Sequence, residues 1–221
     1  MQPGGLSFDI GANVGNRVEL FVEIGSRDVA VEPQPECART LAARFGSDPR
    51  FTLLQVAVGD EPGSARLRLS TSPVLASMSP RFIEATTGSG RFAHDHWLDD
   101  TVDVRVTTLD HLIAVFGVPD FIKIDIEGAE PQALAGLTVE VPALSFEFAC
   151  ELTDHAASCV QHLANSGSYD FALSEGESHD LGPWVTADEI VTRLGQLPIL
   201  AWGDVYARSR TAAKYVEPVR A

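Results

Sequence analysis

The segment Phe8-Asp9-Ile10-Gly11-Ala12-Asn13-Val14-Gly15-Asn16 joins a carboxylate to a turn with two glycines, and the combination suits a nucleoside-bearing ligand. Gly11 and Gly15 carry no Cβ, so the backbone there can come close to a bound molecule. A pyrophosphate loop of the form G-x-G-x-x-G needs its second glycine where this chain has Asn13. Asp9 would also repel a pyrophosphate, whereas it suits the cationic amino group of an amino-acid moiety. S-adenosylmethionine carries that group together with a sulfonium. Glu32, about twenty residues beyond Gly11, is placed to accept hydrogen bonds from two ribose hydroxyls. The plainer alternative makes Asp9 a helix cap and Glu32 a solvated strand-end carboxylate.

A second set of charges lies in Phe121-Ile122-Lys123-Ile124-Asp125-Ile126-Glu127. The two-residue period of a strand sends Lys123 and Asp125 to one face and the three isoleucines to the other. Charges in a central strand are costly unless they are paired or border a site. Asp125 and Glu127 fall at the strand's carboxyl end, where open α/β sheets hold their ligands. Glu130 opens the next helix, and its expected role is interaction with that helix N-terminus. Asp125 and Glu127 offer too few oxygen ligands for magnesium, so no metal is expected.

These residues need a scaffold, and the alternation of short apolar runs with amphipathic stretches from residue 6 to about 148 supplies one. It reads as repeated βα units around a buried, mainly parallel sheet with helices on both faces. Strands are expected at Leu6 to Ile10, Val29 to Glu32, Phe51 to Val58, Val102 to Thr107, Phe121 to Ile126, Leu144 to Phe148, Tyr169 to Ser174 and Leu200 to Arg208. Arg66 to Leu69 alternates polar with apolar, as a half-exposed strand does. Helices are expected over Val14 to Ile24, Gln34 to Phe45, Pro131 to Leu137 and Asp154 to Asn165. Two more open at capping-box spacing, Thr107 with Asp110 and Thr186 with Glu189. Residues 70–101 show no sustained period beyond a short helix opened by Ser79 and Pro80, and read as a candidate substrate lid. All of residues 1–221 are read as one domain.

Composition narrows the partners. Acidic residues outnumber basic ones by 31 to 16, a net charge of −15, and such a field disfavours a phosphate backbone as substrate. No apolar run is long enough to span a bilayer, and the first residues lack the features of a signal peptide, so a soluble cytoplasmic protein is expected. Cys37, Cys150 and Cys159 have no metal-binding spacing and read as reduced core thiols.

FDIGANVGN at 8–16, VEPQP at 31–35, VAVGD at 56–60 and IKIDIEGAE at 122–130 together resemble the FkbM family of S-adenosylmethionine-dependent methyltransferases. The similarity covers roughly residues 6–150 and extends weakly to Gly203-Asp204-Val205. It implies a Rossmann-like class I methyltransferase fold with an antiparallel last strand, and O-methylation of a hydroxyl on a sugar or polyketide-like small molecule. It also implies a cofactor site in which Pro33 and Val58 join Asp9, Gly11, Asn13, Gly15 and Glu32. Many members carry sequence ahead of the glycine loop, which here begins within ten residues of Met1. That departure leaves the substrate cover open and is consistent with a truncated N-terminus.

Methyl transfer from a sulfonium is an in-line displacement with a neutral leaving group, so no acid is needed. Alignment can supply about 7–11 kcal/mol and a general base about 10²- to 10⁴-fold in rate, which makes positioning the larger effect. Asp125, Glu127, Glu147, His94 and His96 are candidates to receive an acceptor's proton, with Asp125 preferred. His94 and His96 flank Asp95 beside Trp97, a ring able to stack on a sugar. His111, His155, His162 and His179 read as structural or surface residues. Two other classes stay open: an NAD-dependent oxidoreductase, and a ligand-binding module without catalysis.

Overall fold

In the computed structural model, which describes residues 3–72, 75–176, 178 and 180–211, the first apolar runs pair in parallel. β1 (Leu6–Ile10), β2 (Arg27–Val31) and β3 (Phe51–Leu54) alternate with α1 (Asn16–Ile24) and α2 (Pro35–Phe45). An excursion follows: β4 (Ala57–Val58), β5 (Gly63–Ser70), β6 (Ala76–Ser77), α3 (Pro80–Ser89), β7 (Trp97–Thr107) and α4 (Leu109–Phe116). The chain then continues through β8 (Phe121–Ile124), α5 (Glu130–Ala135) and β9 (Ala143–Ala149). A 3₁₀ turn (Cys150–Leu152), α6 (Thr153–Ser166), β10 (Tyr169–Glu175), α7 (Ala187–Leu194) and β11 (Trp202–Ser209) complete the described elements.

Seven strands form the main sheet in the order β3-β2-β1-β8-β9-β11-β10. All its pairings are parallel except those of β11, which runs antiparallel to both β9 and β10. The winding direction reverses between β1 and β8, and a crevice opens at the carboxyl ends of strands at such a reversal. On one face Phe8, Ile10, Ile122, Ile124, Leu144 and Phe146 are sealed under α4 to α7. Each such large apolar side chain contributes roughly 1.5–3 kcal/mol by leaving water. On the other face Ala30 packs with Val18 of α1 and Leu41 of α2. Helices therefore cover both faces.

Caps explain several boundaries. Ser79 accepts from the Phe82 amide and Pro80 occupies the first turn of α3. At α7 the Thr186 and Glu189 capping box is complete in both directions. The cap of α4 differs from expectation: Thr108, not Thr107, accepts from the third amide of the helix. Thr107 is still in β7, paired with Val58, and Asp110 instead accepts from Thr138.

Two further differences concern the excursion. The run 51–58 is not one strand, because β3 stays in the main sheet while β4 joins a second, four-stranded sheet, β4-β7-β5-β6. The Glu32 amide makes the last bond to Leu54, and Pro33 then offers β3 no further donor. The described part of residues 70–101 is also more ordered than its composition suggests, since it contains β6, α3 and the start of β7. Exposed Asp99, Asp100 and Thr101 give β7 the look of a loop in sequence, yet β5 pairs with it along most of its length. No helix among the described residues is long and apolar enough to cross a membrane. The three cysteines are buried, and none forms a disulfide among the described residues.

Candidate active site at the carboxyl edge of the sheet

The turn after β1 is held against both neighbouring strands. Gly11 and Ala12 donate to the Val31 carbonyl at 2.9 and 3.1 Å, and the Asp125 amide donates to the Ile10 carbonyl at 2.9 Å. Gly11 has φ +85°, and a Cβ there would lie 1.8 Å from the Asp125 carbonyl oxygen, so only glycine fits. Gly15 answers a different demand. Its Cβ would meet the rings and methyls of Phe45 and Leu41, so its lack of a side chain lets α1 close on α2.

Glu32 projects from the end of β2 and is 3% exposed. One of its oxygens accepts from the Asn13 amide at 2.8 Å and the other from the Gln34 amide at 2.7 Å. Burial pushes its pKa up, partly offset by those two N–H groups. A cleft opens beside it, lined by Gly11, Asn13, Glu32, Pro33, Val58, Asp125 and Glu127, with Leu67, Ala76 and Met78 contributed by the second sheet. Asp9 does not line this cleft. It lies beneath, 1% exposed, with Oδ2 lacking any hydrogen-bond partner among the described residues. Burial first, and then Asp28, raises its pKa well above the usual carboxylate range.

At the other end of the cleft the structure brings Glu147 of β9, also an expected proton-acceptor candidate, beside Asp125 and Glu127. Carboxylate oxygens of Asp125, Glu127 and Glu147 all lie within 4.8 Å of one another. Such a trio has the geometry to receive a cation, although acidic groups of this kind commonly hold none. Positive charge comes from Lys123, whose Nζ is 3.3 Å from Asp125 and 2.8 Å from Asp204. Burial alone would lower the Lys123 pKa, but Asp125, Asp204 and Glu147 raise it above the ordinary lysine value. Burial, followed by the charge of Asp125, pushes Glu127 and Glu147 well up.

Glu130 does more than face a helix N-terminus. Its carboxylate reaches back to accept from the amides of Ile126 and Gly128 at 3.0 and 3.2 Å, bracing the loop that carries Asp125 and Glu127. Burial raises it to about 7. Above this loop lies α3, tied down at both ends by arginines: Arg81 to Asp154 at 2.6 Å, and the mostly buried Arg91 to Glu151 at 2.5 Å.

The two histidines of the long loop fall elsewhere, whereas His155 lines a small pocket with Gly128, Glu130 and Glu147. His96 is exposed and lines a separate groove with Arg68, Phe92 and Trp97, and the structure does not bring it to the carboxylates. His94 is exposed as well. His162 bonds the Leu137 carbonyl at 3.0 Å, while His179 lies outside the described residues. Sequence reasoning missed Leu67, whose alternating strand gives no sign of what it faces, and Ala76 and Met78, which stand in a polar stretch with no sustained period. Asp204 had one clue, the Gly203-Asp204-Val205 motif.

The sequence matches a family model, the methyltransferase FkbM domain, over residues 9–171. No curated protein matches the chain. Among solved structures it is similar to precorrin-6y C5,15-methyltransferase from Geobacter metallireducens, at 10% identity over 95% of this chain and 83% of that one, with a TM-score of 0.50. It is also similar to Aeropyrum pernix fibrillarin in complex with natively bound S-adenosyl-L-methionine, at 11% identity over 93% of this chain and 67% of that one, with a TM-score of 0.44. At such identities the likeness speaks to fold alone. The match over residues 9–171 carries the assignment: the chain belongs to the FkbM family of methyltransferases, for which S-adenosylmethionine is the methyl donor.

Proposed function

We propose that the protein methylates a hydroxyl of a small molecule, a sugar or polyketide-like product. The observation that carries this reading is one cleft with Glu32 at one end and Asp125 with Glu127 at the other. Glu32 uses one lone pair on each oxygen for the Asn13 and Gln34 amides, which leaves a second on each for ribose hydroxyls. Asp9 Oδ2, which has no hydrogen-bond partner among the described residues and lies beneath the glycine turn, suits the ammonium of the methionine moiety, reached directly or through a water. On both counts the residues fit the donor.

When bound, the donor supplies a sulfonium-activated methyl group. The chain's own part is to hold the acceptor in line and to take its proton. Asp125 is the proposed proton acceptor, with Lys123 beside it to stabilise the carboxylate. The net charge of −15 favours an uncharged or cationic acceptor over a phosphate-rich one. The test is incubation of the protein with methyl-labelled S-adenosylmethionine and a pool of hydroxylated metabolites, followed by mass spectrometry. A labelled methyl ether is the expected product. Label on carbon, nitrogen or RNA would overturn the proposed acceptor class.

A further inference from the structure

The strand β6 is only two residues long, yet it meets both the cleft and the loop that carries Glu127. Ala76 and the adjacent Met78 line the cleft, while Ser77 between them is 1% exposed. The Ser77 hydroxyl donates to the Glu127 carbonyl at 2.7 Å, and its oxygen accepts from the Ser79 amide at 2.9 Å. Glu127 is one of two non-glycine residues with positive φ among the described residues, at +55°, and Gly128 follows at +92°. A side chain at 128 would collide with Phe82 of α3. A left-handed glutamate persists only where its surroundings over-determine it. Here the amides on either side of Glu127 are held by Glu130, and its carbonyl is held by Ser77.

We propose that Ser77 is a positioning residue for methyl transfer: by fixing the Glu127 carbonyl, it lets the strand that borders the cofactor set where the Asp125 and Glu127 carboxylates stand. The inference rests on the reading of this cleft as a donor site with its acceptor end at those carboxylates. Cofactor contact with Ala76 and Met78 would then tighten the acceptor loop through the intervening serine.

The test uses Ser77→Ala and Ser77→Thr, the second keeping the hydroxyl, with residue-resolved amide hydrogen exchange. In Ser77→Ala the Ile126 and Gly128 amides should exchange about ten-fold faster, the scale of one lost hydrogen bond, and Ser77→Thr should restore them. The Asn13 and Gln34 amides, which bond Glu32, should be unchanged. S-adenosylhomocysteine should slow exchange at Ile126 and Gly128 in the wild type and much less in Ser77→Ala. With an acceptor found by the labelling survey, kcat should fall while KM for the donor holds. Unchanged exchange at Ile126 and Gly128, or acceleration shared equally by Asn13 and Gln34, overturns the proposal. Should Ser77→Ala not fold, Ser77→Cys, close in volume and a weak donor, is read the same way. Failure of the donor-site reading has its own signature, no S-adenosylhomocysteine binding by the wild type, and leaves the exchange comparison intact.

Discussion

Gly11 and Asp125 meet backbone to backbone: a Cβ on the first would sit 1.8 Å from the carbonyl oxygen of the second. This contact brings the turn after β1 against the end of β8, so the two ends of the cleft, proposed for donor and acceptor, are set by one another. Gly11→Ala should therefore damage both. The added methyl must displace Asp125 and also adopt φ +85°, and the combined cost is expected to exceed about 2 kcal/mol of stability. Chemical denaturation together with S-adenosylhomocysteine titration checks it, and a variant with wild-type stability and affinity refutes the contact.

Glu32→Ala should weaken donor affinity by about 1.5–3 kcal/mol, the range for hydrogen bonds to a charged group. Because Glu32 also holds the Asn13 and Gln34 amides, Glu32→Gln is the companion variant, retaining an acceptor of the same shape. Calorimetry on folded proteins decides the matter. Equal affinities in all three would remove Glu32 from the ribose site.

Asp125→Asn should lower turnover by about 10²- to 10⁴-fold, the usual contribution of a general base, with a much smaller effect on donor binding. Equal losses in both quantities would make Asp125 a binding residue instead.

Stability should fall as pH rises from about 4 to about 7. Asp28 is fully buried, accepts from the Ser7 hydroxyl at 2.7 Å, and is pushed by burial to about 7. Glu130 reaches about 7 for the same reason. Between the unfolded and folded pKa values the native state binds more protons than the unfolded one. The slope of unfolding free energy with pH is therefore negative in that window. Asp28→Asn should flatten the profile and gain stability at pH 8 relative to the wild type, as urea midpoints would show. A wild-type midpoint that rises over this range contradicts the assignment.

Arg91 and Glu151 pair where their side chains are 12% and 4% exposed, so removing one partner leaves a nearly buried charge. Arg91→Ala should release α3 from the Cys150–Leu152 turn and speed proteolytic cleavage within residues 80–97. Donor and acceptor together should slow that cleavage in the wild type if the segment covers the acceptor. Identical cleavage of wild type and variant would show that the arginine is no clamp.

Much of the framework was legible in the sequence because it is encoded locally. The two-residue period of Phe121 to Ile126 separates the core isoleucines from Lys123 and Asp125, and the Thr186 with Glu189 box spans four consecutive residues. The turn holding Gly11 and Asn13 likewise carries its own backbone requirements in residues 10–15. What depends on long-range pairing was not legible. Glu147 joins Asp125 because β9 pairs with β8, and Ser77 reaches Glu127 because a second sheet folds back over the cleft. The same pairing takes His96 away from the carboxylates, and the β1–β8 register puts Asp9 beside Lys123. Local periodicity tells a residue which way to face along its own strand. Which strand lies beside it is chosen by the burial and hydrogen bonding of residues far away in the chain, and that choice assembled this site.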